Sequence, residues 1–188
     1  MDNFSKTKWL FLIFVLLLIV SSCTGTKSVI SPKSSAETTA HAKQFMSAGE
    51  YQKAIDVYNI EYRRNPQDRV LLNEYVKNIE DIKSSADKAS DREDFAPAGR
   101  KYHVLLKNYP RFKGFEKRLS FNSSHLHSKI SQCKQSLSNQ GFQEYRKGNL
   151  SGAIALWQGL LAIDPHNTEI KDAVRTAKLQ QKNLQENK

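Results

Sequence analysis

Apolar residues recur at helical spacing through most of the chain. Leu71, Tyr75, Ile79, Ile82, Ala86 and Ala89 follow one another at steps of three and four, the interval that stacks side chains on one face of an α-helix. They predict a helix of about five turns. Leu126, Ile130, Cys133, Leu137 and Gly141 draw a second stripe of this kind. Ile170, Ala173, Val174, Ala177 and Leu184 draw a third, with Lys171, Arg175, Lys178 and Lys182 on the remaining faces. Asn167 is placed to cap the start of that last helix, and Ser34 followed by Glu37 is a capping-box pattern for the first. Cys133 lies on an apolar stripe, where a thiol acts as a small hydrophobic group.

One set of intervals recurs three times. Ala42 is followed by Ala54, Tyr58 and Pro66 at steps of twelve, four and eight; the same steps connect Ala86, Ala98, Tyr102 and Pro110, and again Gly141, Ala153, Trp157 and Pro165. Two helices approach closely only where side chains are small. Proline ends such a pair because it lacks an amide donor and disfavours the α conformation in the residue before it. Gly49-Glu50-Tyr51 and Gly148-Asn149-Leu150 suit the tight turn between paired helices, since glycine tolerates left-handed backbone angles. The middle copy has Glu93, Asp94 and Phe95 there, and its Pro97 is admissible in a first helical turn, whose amides have no intrahelical acceptor.

The pattern resembles the tetratricopeptide repeat (TPR), although Gln140 and Glu144 in the third copy depart from the family's preferences. The resemblance implies an all-α fold, an antiparallel helix-pair solenoid over residues 34–188 with a C-terminal capping helix. The family's unit is about 34 residues, whereas Ala54 to Ala98 spans 44 and Ala98 to Ala153 spans 55, so the first excess is most simply a lengthened helix. The resemblance also implies a concave groove that holds a peptide or partner helix, and the matching positions here are Lys43, Met46, Lys83, Asp87, Phe142, Tyr145 and Arg146.

The beginning of the chain is of another kind. Lys6 and Lys8 precede an unbroken apolar run, Trp9 to Val20, shorter than the roughly 20 residues of a spanning helix and proper to a signal-peptide core. Val20-Ser21-Ser22-Cys23 resembles the bacterial lipobox. That resemblance implies a signal peptide over 1–22, lipid on the thiol of Cys23, and a flexible tether over 23–33 that reaches at most about 35 Å. Thr24 in place of Asp implies, by the enterobacterial sorting rule, the outer membrane and its periplasmic face. Two or three acyl chains hold a protein firmly where one does so marginally.

Composition adds limits. With 188 residues, 39% hydrophobic and 26% charged, the chain has the balance of about one globular domain, which excludes collagen-like, filamentous and wholly disordered readings. Two cysteines exclude a disulfide framework and a four-cysteine zinc site. No Gly-rich phosphate loop, serine elbow or isolated carboxylate pair is present. His125 and His127, two apart, point about 200° apart on a helix and do not converge on a metal. Neither cofactor nor metal is expected.

The net charge of +10 is concentrated: nine Lys and Arg lie between Arg100 and Lys134, opposed by Glu116 alone and interleaved with Phe112, Phe115 and Phe121. Either the phenylalanines pack inward beneath a solvated cationic face, or the segment docks an anionic partner through Arg111, Lys113, Lys117 and Arg118. Export disfavours nucleic acid. The sequence therefore predicts a non-enzymatic, lipid-anchored scaffold. It would bind an envelope protein or peptide and help assemble a complex for outer-membrane protein insertion, pilus biogenesis or secretion. The alternative is a regulator of a cell-wall enzyme, or a binder of the anionic wall or lipid surface through residues 100–134.

Overall fold

The computed structural model describes residues 35–186. The segments expected to be a signal peptide and a tether, with Cys23, and Ser34 of the expected capping box lie outside the described residues. What is described is all-α: α1 Ser35–Ser47, α2 Tyr51–Arg64, α3 Arg69–Asp91, α4 Phe95–Asn108, α5 Ser123–Arg146, α6 Leu150–Leu161 and α7 Thr168–Glu186, with 3-10 turns at Tyr109–Phe112 and Glu116–Arg118 between α4 and α5. None of these helices is long and apolar enough to cross a membrane.

Side-chain caps mark several starts. Asp68 accepts from the amides of Val70 and Leu71 at 3.0 Å, Asn122 from His125 at 2.8 Å, and Asn149 from Gly152 at 3.1 Å. Asn167 accepts from Ile170 at 3.0 Å, the cap expected of it. Each satisfies an amide that the first helical turn leaves without an acceptor.

Three connections, 48–50, 92–94 and 147–149, are three residues long. Helices joined so briefly and packed along each other run antiparallel, giving the hairpins α1–α2, α3–α4 and α5–α6. The central residue of every turn has a left-handed backbone: Gly49 at φ +73°, Glu93 at +61° and Gly148 at +79°. The hydrogen bonds match as well. The left-handed residue donates three back, to Met46, Ser90 and Tyr145, and the next amide donates five back, to Phe45, Ala89 and Glu144, the Schellman closure of a helix end. The middle copy thus differs from its neighbours in residue type and keeps their geometry.

A non-glycine residue spends about 1–2 kcal/mol to adopt left-handed angles, part of which glycine returns as unfolded-chain entropy. Glu93→Gly is therefore expected to stabilise the protein by about 0.5–1 kcal/mol. The measurement is the denaturant midpoint at constant slope; a midpoint that stays put or falls contradicts the shared turn.

The recurring positions form the seams between paired helices. Ala42, Ala54, Tyr58, Ala86, Ala98, Tyr102, Ala153 and Trp157 are each at most 1% exposed, and Gly141 is buried. All but Ala54 and Gly141 are members of one hydrophobic core cluster with residues from α1 to α7. Beyond the hairpins, α4 packs on α5 and α6 on α7, while α1 also touches α3, α2 touches α4, and α4 touches α6. Polar pairs tie these layers: Gln52 and Asn108 exchange amide hydrogen bonds at 3.2 and 2.9 Å between α2 and α4.

The extra residues divide in two. α3 has 23 residues and α5 has 24 against 14 and 12 in their partners α4 and α6, so lengthening falls on the first helix of a pair. The remainder forms the segment 109–122, which buries Phe112, Phe115 and Phe121. α7 covers α6 with Ile170, Val174 and Ala177. Leu184, read from the sequence as part of that apolar face, is 61% exposed. Gln181 bonds Ser151 at 2.7 Å in the first turn of α6, and Leu184 lies past that point, where α6 has ended.

Candidate functional site

The seven positions expected to line one groove fall in three places. Lys43 and Met46 of α1 face α3 across a groove of about 640 Å³, completed by Ser47, Glu74, Lys77, Asn78 and Asp81. Lys43 Nζ meets Glu74 Oε1 at 3.1 Å, and Lys77 meets Asp81 at 3.0 Å. The half-buried thioether of Met46 thus lies beside two ion pairs that present both signs of charge. Asn78 Nδ2 donates to the Tyr58 hydroxyl at 2.9 Å and to the Glu74 carbonyl at 2.8 Å. Burial, and then the Glu74 carboxylate, push the Tyr58 hydroxyl up to about 12, so it is a neutral hydrogen-bonding group at physiological pH. Chemically this groove offers a pliable apolar spot framed by charge.

Lys83 and Asp87 are engaged internally. They pair at 2.9 Å, and the Tyr102 hydroxyl donates to Asp87 Oδ1 at 2.5 Å. Burial works to raise the Asp87 carboxyl, but hydrogen bonds from Tyr102 and Lys83 outweigh it and the net direction is downward. Tyr102 moves the other way, raised first by burial and then by the bond to Asp87. The unit fixes α3 to α4.

Phe142 and Tyr145 lean on the Trp157 indole with ring centres 5.1 and 5.8 Å apart. Tyr145 and Arg146 also line a separate groove of about 600 Å³ with Gly148, Leu150 and Leu184 at the end of α7.

The basic segment is partly committed too. Arg111 is ion-paired with Asp56, and Arg118 Nη2 donates to Asn73 Oδ1 at 2.7 Å. Glu80 accepts from both the amide and the hydroxyl of Ser120 at 2.6 Å, which closes the segment onto α3. Lys113 and Lys117 are exposed and carry none of the ion pairs found among the described residues. Phe112 packs on Tyr75, and Phe115 on Tyr62 and Tyr75, with Tyr75 itself stacked on Tyr58, so the inward-packing alternative holds for the rings. Cys133 is fully buried and its thiol is raised by that burial, as suits a core group. His125 is half-buried at the start of α5 and His127 is exposed.

Sequence reading missed a groove of about 580 Å³ between the first turn of α2 and α4, lined by Tyr51, Lys53, Pro97, Arg100, Lys101 and Val104 among others. Its residues come from two hairpins, so periodicity within one helix carries no sign of it. The chain matches no protein-family model, no curated protein and no solved structure.

Proposed function

We propose that this protein is a lipid-anchored, TPR-like scaffold of the bacterial envelope, non-enzymatic, held through Cys23 at the periplasmic face of the outer membrane. Its work is to bind another envelope protein and help assemble or position a complex. The observation that carries the scaffold reading is the threefold recurrence of one hairpin: the same left-handed turn and the same buried seam of two small residues and an aromatic. Contacts between α1 and α3 and between α2 and α4 support stacking of successive pairs, the arrangement from which solenoids gain extended binding surfaces. The groove between α1 and α3 fits an amphipathic partner helix, whose apolar face would meet Met46 while its charges meet Lys43, Glu74, Lys77 and Asp81.

Full-length protein extracted from membranes in detergent is expected to bring down one protein partner in stoichiometric amount, and Met46→Asp to lower that recovery roughly tenfold. Recovery unchanged by Met46→Asp argues against this groove. Cys23→Ser is expected to abolish acyl labelling; a Cys23→Ser chain that still takes up labelled acyl groups removes the anchor from the reading.

A further inference from the structure

The groove beside α2 has an apolar wall and a cationic rim. Tyr51, Pro97 and Val104 supply the wall; Lys53, Arg100 and Lys101 supply the rim. Lys101 Nζ donates to Ser85 Oγ at 2.8 Å with its charge 6.0 Å from the centre of the Tyr51 ring, and Lys53 is paired with Glu50. From Arg100 the exposed stripe of α4 continues through His103 to Lys107, at steps of three and four. The helix then passes directly into the segment that presents Lys113 and Lys117.

Two acids beside these bases are paired, and one of them, Glu50, also lines the groove. Asp56 is occupied by Arg111 and Glu50 by Lys53, which leaves Glu116 as the opposing carboxylate within the segment. Arg100, Lys107, Lys113 and Lys117 are all exposed, and none takes part in the ion pairs among the described residues. Positive charge bordering an apolar groove is complementary to a molecule whose negative charge borders hydrocarbon.

We propose that this side of the protein docks on anionic phospholipid, with headgroup phosphates on Arg100, Lys107, Lys113 and Lys117 and the glycerol and upper acyl region of one lipid against Tyr51, Pro97 and Val104. The inference rests on the lipid-anchored reading, because a tether of at most about 35 Å keeps the domain within reach of a bilayer. Each basic residue close to an anionic surface contributes about fivefold to partition. The attraction is confined to roughly 10 Å at about 0.1 M salt and to about 3 Å at 1 M.

The test uses full-length lipidated protein in vesicles of phosphatidylcholine, alone or mixed with phosphatidylglycerol, with lysine reactivity read by mass spectrometry. In the anionic vesicles at about 0.1 M salt, Lys107, Lys113 and Lys117 are expected to react about fivefold more slowly, and at about 1 M salt the protection is lost. Lys77 on α3 and Lys178 on α7 serve as unprotected controls. Lys113→Glu with Lys117→Glu is expected to remove the protection at Lys107. Equal reactivity in the two kinds of vesicle overturns the docking surface, and so does protection by soluble polyglutamate without protection by phosphatidylglycerol, which would mark an acidic polypeptide as the partner. Flotation with neutral phosphatidylcholine vesicles reports the anchor by itself: its loss overturns the anchor and the docking together, whereas equal labelling of floated protein overturns the docking alone.

Discussion

Gly141→Ala is expected to destabilise the protein by about 3 kcal/mol, although alanine in a helix interior ordinarily improves on glycine by about 0.5–1 kcal/mol. A β-carbon on Gly141 would stand 2.2 Å from Trp157 Nε1, 2.5 Å from Cδ1 and 2.8 Å from Cε2, all well inside van der Waals contact. The indole is 1% exposed and flanked by Phe142 and Tyr145, so it cannot retreat without opening that stack. The three clashing atoms belong to the five-membered ring, which phenylalanine lacks. Gly141→Ala combined with Trp157→Phe is therefore expected to cost clearly less than the two single changes added, as for residues in contact. Trp157 Nε1 is buried without a hydrogen-bond acceptor, and an orphan donor of this kind costs about 1–3 kcal/mol. Removing it with phenylalanine offsets part of the lost packing. The measurement is helical circular dichroism against denaturant for the four proteins. A stabilised Gly141→Ala, or strict additivity, would mean that α5 and α6 do not meet at this seam.

The hairpins were legible because their determinants are local. Small residues and an aromatic at fixed intervals mark where two helices touch, and Ala42, Ala54 and Tyr58 are buried where that spacing puts them. Lengthening of α3 and α5 was legible for the same reason, since an apolar stripe at steps of three and four persists through both. Glu93 was not. Its left-handed angle is forced by the closing hydrogen bonds to Ser90 and Ala89, against the residue's own preference, so residue type gives no signal. The site was less legible still. Lys83 and Asp87 sit at groove positions by register, yet Tyr102 arriving from α4 turns Asp87 into an internal acceptor. The groove framed by Tyr51 and Arg100 depends on how α2 lies beside α4, which no interval within either helix records.

Phe112→Ala is expected to cost about 3–5 kcal/mol, and the size of that loss relative to a charge deletion decides what holds the basic segment in place. Phe112 is fully buried, edge-on to Tyr75 with ring centres 6.2 Å apart and 5.7 Å from Phe115. Phe115 in turn meets Tyr62 edge-on at 5.5 Å and Tyr75 at 5.1 Å. The competing restraint is the Arg111–Asp56 ion pair, whose partners are 39% and 43% exposed; a pair so open to solvent contributes about 0–1 kcal/mol. Arg111→Ala should therefore move the denaturant midpoint little while Phe112→Ala moves it strongly. Hydrogen exchange separates local from global effects: in Phe112→Ala the amides of residues 109–118 are expected to exchange well ahead of those in α3, because the rings anchor this segment to the helices beneath it. If Arg111→Ala matched Phe112→Ala in both measurements, the segment would be held by charge. The surface carrying Lys113 and Lys117 would then loosen as salt rises. With the aromatic anchor intact, salt weakens only what these lysines bind, and their positions on the protein stay fixed.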